Sequence, residues 1–450
     1  MGLDRREFFR LSALTTAVPA VAMASSGASA APMSTLGIDA VQLGVRAGGT
    51  VAQTDALQNA IDQTAGARVP LVLGPGEYRS GELKLPTGAQ IVGVRGATKL
   101  IFEGGAGFIF ARGADHVTLS GLIFDGKSKM LADDRGLVHL VSGRDVRVID
   151  CEIVNAGGHG IVLEEVEGGV SGTTVAHAAA SGVVSRNALG LFIEKNAVRH
   201  AAASGVVVMR TAKGDDGTLV LDNRIEDISG KREGGNGIDI ALADNVTVRG
   251  NRIVRIANCG VHGKASSSLQ VANNTISEVG DIAIHSELGF EGAVISNNTV
   301  SGAAIGVALV NFDQGGRLAA VQGNLIRNLK PNRSTGNTEQ FGGGVGIIVE
   351  ADAAVTGNVV ENAPNTGIRI GFGQFMRDVS ATGNVVRNVG FGLTAAVSAG
   401  AGPAVIAANM IADAARGSVV GMDFAEALPD DLTKPTTRFA QLIVRGNKIR

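Results

Sequence analysis

Apolar and polar residues alternate in short runs along most of this chain, and the runs recur at a nearly fixed spacing. Three of them align between Gly234 and Leu288: Gly-Ile-Asp-Ile-Ala (237–241), Gly-Val-His-Gly-Lys (260–264) and Ala-Ile-His-Ser-Glu (283–287), each start 23 residues after the last. Alternation over five residues predicts a strand with one buried face. One such strand per repeat predicts a parallel β-solenoid. If Ile238, Val261 and Ile284 face the core, Asp239, His262 and His285 form one outward column. Ala241, Lys264 and Glu287 form the next. Coils about 4.8 Å apart then gather acids, imidazoles and an amine on one face.

The same Gly-led strand recurs from Gly160 to Gly392. Along the first column the flanking coils are apolar, with Val162, Val184 and Val207 before the polar residues and Ala308 and Ile348 after them. A charged centre on an apolar floor suits a substrate groove. Arg210, Asn311, Glu350 and Arg369 fall on nearby coils and are expected to bind substrate. Three longer interruptions (211–218, 228–236 and 329–344) break the coil length, and the last two are expected to wall the groove.

A second unit, Asn-x-Ile/Val, places asparagines at 196, 223, 251, 274, 298, 324, 358, 384, 409 and 447. Asparagine bonds turns through its side chain and tolerates left-handed backbone. Stacked at one corner, these residues predict a ladder that serves the fold. Before the coils, Leu57, Ala60 and Ile61 give an apolar face to a helix over Asp55–Ala65, with Thr54 placed to cap it. Residues 31–66 thus read as linker and capping helix, and 67–450 as repeats.

Composition narrows the class. There are 64 glycines, one Tyr and no Trp, with 45% apolar residues, so the core is built from small branched side chains. Forty basic residues against 42 acidic ones argue against a nucleic-acid partner. Cys151 and Cys259 lie about four coils apart, roughly 19 Å, too far for a disulfide. No stretch after the N-terminal segment reads as a membrane helix, so no membrane association is expected of the mature form.

The first 30 residues combine Arg5-Arg6 with Phe8, an apolar stretch from Leu11 to Met23, and Ala28-Ser29-Ala30. This resembles a twin-arginine (Tat) export signal with a small-residue cleavage site. It implies recognition by the Tat translocase and a periplasmic or secreted protein. The Thr54-Asp55-x-Leu57-Gln58-x-Ala60-Ile61 helix, Gly74-Pro75-Gly76-x-Tyr78, Leu85-Pro86-x-Gly88 and Ile91-Val92-Gly93 together resemble the entry of the pectate-lyase-like superfamily. That resemblance implies an all-β, right-handed parallel β-helix with an N-terminal capping helix. Signal and coils together are similar to the twin-arginine-translocated repeat proteins, a family without assigned activity. Gly158-His159-Gly160 resembles a polygalacturonase motif, but its companion motifs are absent, and His159 reads as a turn residue.

The superfamily implies a polysaccharide or cell-envelope glycan as partner, with cleavage or epimerisation of acidic chains. Uronate β-elimination needs a base, an acid and a neutralised carboxylate. His262 or Lys264 is expected as base and His285 as acid. Asp239 would orient His262, and Glu287 completes the cluster. Arg210, Lys264 or Arg369 would face the carboxylate. Hydrolysis needs two carboxylates at defined separation, which Glu287 and Glu350 meet less well. Asp239, His262, His285 and Glu287 are also suitable metal ligands, although no cofactor is expected. The alternative is a non-catalytic exported solenoid that binds or supports.

Overall fold

A computed structural model describes residues 37–334, 342–434 and 438–450. The expected signal segment and the start of the linker lie outside these residues. The described chain is a right-handed parallel β-solenoid of about 14 turns with one short α-helix near its start. One face is a 16-stranded sheet. The remaining strands stack coil upon coil in parallel register, apart from Glu426–Asp431, which returns antiparallel on Met410–Asp423.

The alternation dictates this arrangement. Ile238 pairs with Val261, and Val261 with Ile284, and all three are wholly buried. Each buried branched side chain contributes about 1.5–3 kcal/mol, and a one-residue slip would expose the whole row. Sheet pairing begins earlier than the repeats suggested. Ile38–Asp39 already pairs with Leu71–Val72 inside the stretch read as linker. The helix spans Thr54–Gly66 and buries Leu57, Ala60, Ile61 and Ala65 over the first coils. Thr54 does not cap it. The Thr54 Oγ1 instead accepts the Gly81 N–H at 2.8 Å, tying the helix to a coil turn.

The asparagines form a continuous ladder from Asn196 to Asn447. Each Oδ1 accepts both the backbone N–H and the Nδ2–H of the asparagine one coil earlier, at 2.9–3.1 Å. All but the last are almost wholly buried. The left-handed backbone sits one residue before each: Lys195, Asp222, Gly250, Asn273, Asn297, Gly323, Gly357, Gly383, Ala408 and Gly446 all have positive φ. The ladder residue supplies the hydrogen bonds, and its predecessor turns the chain. Cys151 and Cys259 are free and buried.

Candidate functional site

Strands Ile238–Asp244, Val261–Lys264 and Ile282–Glu287 lie side by side. Register sets Asp239 against His262 and His262 against His285, with Lys264 against Glu287. The two imidazoles stack, ring centroids 5.2 Å apart and planes 13° from parallel. His262 bridges two acids: Nδ1 lies 3.3 Å from Asp239 Oδ1, and Nε2 lies 2.9 Å from Glu287 Oε1. The other Glu287 oxygen is 3.7 Å from His285 Nε2. Both histidines are largely buried, their side chains 16% and 12% exposed.

These contacts divide two chemically identical side chains. Burial by itself lowers the His262 pKa, but hydrogen bonds it donates to Asp239 and Glu287 outweigh it and raise it to about 9. Burial lowers the His285 pKa to about 4; Glu287 opposes this only partly, while His262 and Arg333 add to it. Burial also works against the charge of Glu287, yet the His262 hydrogen bond and nearby cations hold its pKa below the ordinary value. The surroundings thus favour the charged form of His262 and the neutral form of His285.

Lys264 is in register but exposed, and it reaches the cluster through its charge on Glu287. Arg210 is not brought to the cluster. The insertion at 211–218 is absorbed as a register shift between Met209 and Gly214. Arg210 consequently donates to the Ala188 carbonyl at 3.3 Å and lies 3.9 Å from Asp216. Glu350, Arg369 and Asn311 form a separate group. Glu350 is buried, accepts the Phe312 N–H at 2.8 Å, and has its pKa pushed by burial to about 7. Arg369 is also buried, donates to the Phe424 carbonyl and stacks on Phe372. Glu350 and Arg369 thus bond to the chain's own backbone, while the Asn311 Oδ1 is buried without a hydrogen-bond partner among the described residues.

Both flanking interruptions meet the cluster. In 228–236, Asn236 accepts the Cys259 N–H at 3.0 Å, and its amide nitrogen comes within 3.4 Å of His262 Nδ1. In 329–344, Ser334 N–H donates to the Gly280 carbonyl at 3.1 Å, and Arg333 grips Asp281 through two bonds of 2.6 and 2.9 Å. Residues 335–341 of that loop lie outside the described residues. Arg333 and Asn236 were missed from sequence; their only signal was membership of loops ending beside the polar coils. His139 was also missed. It extends the outward column, paired with Val162 and Phe110, on a coil where Leu137 stands in the register of the leading glycine.

One donor atom each of His262, His285 and Glu287 lies within 4.8 Å of the others, close enough to share an ion. Asp239 is not in that group. The 2.9 Å separation of Nε2 and Oε1 is that of a hydrogen bond. A metal would require His262 to give up its proton.

Residues 166–326 match a family model described as the right handed beta helix region. No curated protein matches the chain. Among solved structures it resembles the catalytic unit of a GH87 α-1,3-glucanase from Streptomyces thermodiastaticus, at 17% identity and TM-score 0.51, over 94% of this chain and 70% of that one. It also resembles the pre-mature gene product 12 of bacteriophage phi29, at 14% identity and TM-score 0.54, over 86% of this chain and 55% of that one. The A-module of an Azotobacter vinelandii mannuronan C-5 epimerase, AlgE4, aligns at 16% identity and TM-score 0.47, over 79% and 96%. At these identities the likeness is one of fold.

Proposed function

We propose that this is an exported β-helix protein that acts on an acidic polysaccharide by proton transfer, as a lyase or epimerase, at Asp239, His262, His285 and Glu287. One observation carries the reading: two stacked histidines on adjacent coils are displaced in opposite directions, to about 9 and about 4. Opposed displacement of neighbouring groups marks an acid and a base. The roles are then the reverse of those expected from sequence. Neutral His285 accepts the C5 proton of a uronate. The His262 imidazolium donates to the leaving oxygen in elimination. Asp239 and Glu287 keep His262 charged, and Lys264 offsets the substrate carboxylate. The glucanase resembled in fold lends support to a glycan partner.

Export rests on Arg5-Arg6, the apolar stretch and Ala28-Ser29-Ala30. These support passage through the Tat translocase to the periplasm or beyond, and kinship with the twin-arginine-translocated repeat proteins. A second reading, a non-catalytic binding solenoid, is favoured by one fact: both His262 nitrogens already face carboxylates. The discriminating experiment offers uronate polysaccharides to the purified mature protein. Unsaturated product is followed by absorbance, and C5 exchange by deuterium incorporation. His262→Ala should reduce turnover at least about 100-fold with the fold retained, and His285→Ala comparably. Binding without product or exchange would establish the non-catalytic reading, and full activity in both variants would move chemistry elsewhere.

A further inference from the structure

A cleft of about 760 Å³ lies along the solenoid corner before the cluster. Its walls include Asp134, Arg135, His159, His177, His200 and Arg232, and its floor is largely alanine and glycine. His177 and His200 sit on successive coils with rings stacked 4.8 Å apart and 14° from parallel. The His159 Nδ1 accepts the Ser181 N–H at 3.1 Å, so a neutral ring carries its proton on Nε2 and is a donor.

One observation points to an absent ligand: Arg135 Nη1, on the wall of the cleft, is buried without a hydrogen-bond partner among the described residues. His139, which does not line the cleft, is likewise buried with neither ring nitrogen hydrogen-bonded, Glu164 lying 3.8 Å away. Buried polar groups rarely stay unpartnered without a reason. Arg135 is held in place by stacking 4.0 Å over Phe110, against whose edge His139 also packs. Burial, with Arg135, Arg186 and Arg112, lowers the His139 pKa to about 4, so cations gather behind Arg135, while Asp133 and Asp134 also line the cleft. Asp134 is engaged by Arg186 at 3.7 Å, which leaves Arg135 and Arg232 as the guanidinium groups on the cleft.

One loop borders both the cleft and the cluster. Arg232 belongs to 228–236, the same loop whose Asn236 reaches His262. From the coil of His159 to that of His262 is about four coil spacings, roughly 19 Å. We infer that the cleft is a second glycan subsite that binds the carboxylate-bearing sugars of a uronate chain through Arg135 and Arg232, while another sugar of that chain occupies the His262 cluster. The imidazoles and Asp134 would take hydroxyl groups, and the small floor lets a sugar ring lie close to the backbone. The inference rests on the proposed uronate substrate.

The test separates length from chemistry. Binding of uronate disaccharides and of octasaccharides to the mature protein is measured by calorimetry, with neutral glucan octasaccharides as control. The octasaccharide should bind more tightly than the disaccharide, and Arg232→Gln and Arg135→Gln should each weaken it roughly tenfold without changing disaccharide affinity. Arg232 is exposed, so its variant keeps the test valid if Arg135→Gln disturbs the Phe110 stack. Equal affinity of wild type and Arg232→Gln for the octasaccharide would overturn the subsite, as would equal binding of the neutral glucan. Length-dependent, arginine-dependent binding without turnover would leave the subsite standing and remove the catalytic reading. Turnover indifferent to both arginines would do the opposite.

Discussion

Asn251, Asn274 and Asn298 stack on successive coils, as do Asp239, His262 and His285. In the ladder, each residue repeats the same bonds to the coil on either side, and the pattern extends far beyond these coils. In the other column three coils carry different groups, the next coils are apolar, and the hydrogen bonds are asymmetric. His262 has both nitrogens against carboxylates; its neighbour has one distant contact at 3.7 Å. A uniform buried row satisfies backbone and is a device of the fold. A short row of unlike titratable groups with divided protonation is what the proposed proton transfer would use. Periodicity separates the two only in part, because both rows obey the same repeat.

Replacing a rung should have the largest effect on stability. Asn274→Ala removes the acceptor for the Asn251 N–H and Nδ2–H and the donor to the Val248 carbonyl. An unsatisfied buried group costs about 1–3 kcal/mol, so a loss of about 3 kcal/mol or more is expected in urea unfolding. A loss below about 1 kcal/mol would show that the ladder is dispensable.

The two histidines should give smaller effects of opposite sign. The His262 pKa is raised in the fold, so its contribution is full below about 6.5, the ordinary value, and fades as pH rises through about 9. The His285 pKa is lowered, so its contribution is full above about 6.5 and fades as pH falls toward about 4. Thermal midpoints measured against pH should therefore flatten on the alkaline side in His262→Gln and on the acid side in His285→Gln. Identical profiles for the two variants would erase the division between the rings.

Lys264→Ala should be the mildest change. The side chain is exposed, and stability should stay within about 0.5 kcal/mol of wild type. In the absence of substrate its expected trace is a small rise in the Glu287 pKa, visible by carboxyl NMR titration, since Lys264 helps to hold that value down. A larger stability loss would mean that the amine is built into the column as the imidazoles are.

Sequence alone determined the solenoid, its register and the membership of its columns. Alternation specifies which side chains point inward, and a repeat of constant length brings the same positions into contact on neighbouring coils. Asp239, His262, His285 and Glu287 could be grouped on that basis before any coordinates, and so could every rung of the ladder. Tertiary structure decided the rest. The Arg210 side chain follows a bulge, which alternation does not encode. Glu350 and Arg369 are turned to the chain's own carbonyl and amide groups once the coils and loops close around them. Arg333 arrives from a loop far along the chain to meet Asp281. Which histidine keeps its proton depends on burial and on the carboxylates within bonding distance. Those are properties of assembled space, and two histidines one repeat apart in the same column carry no sign of them in their order along the chain.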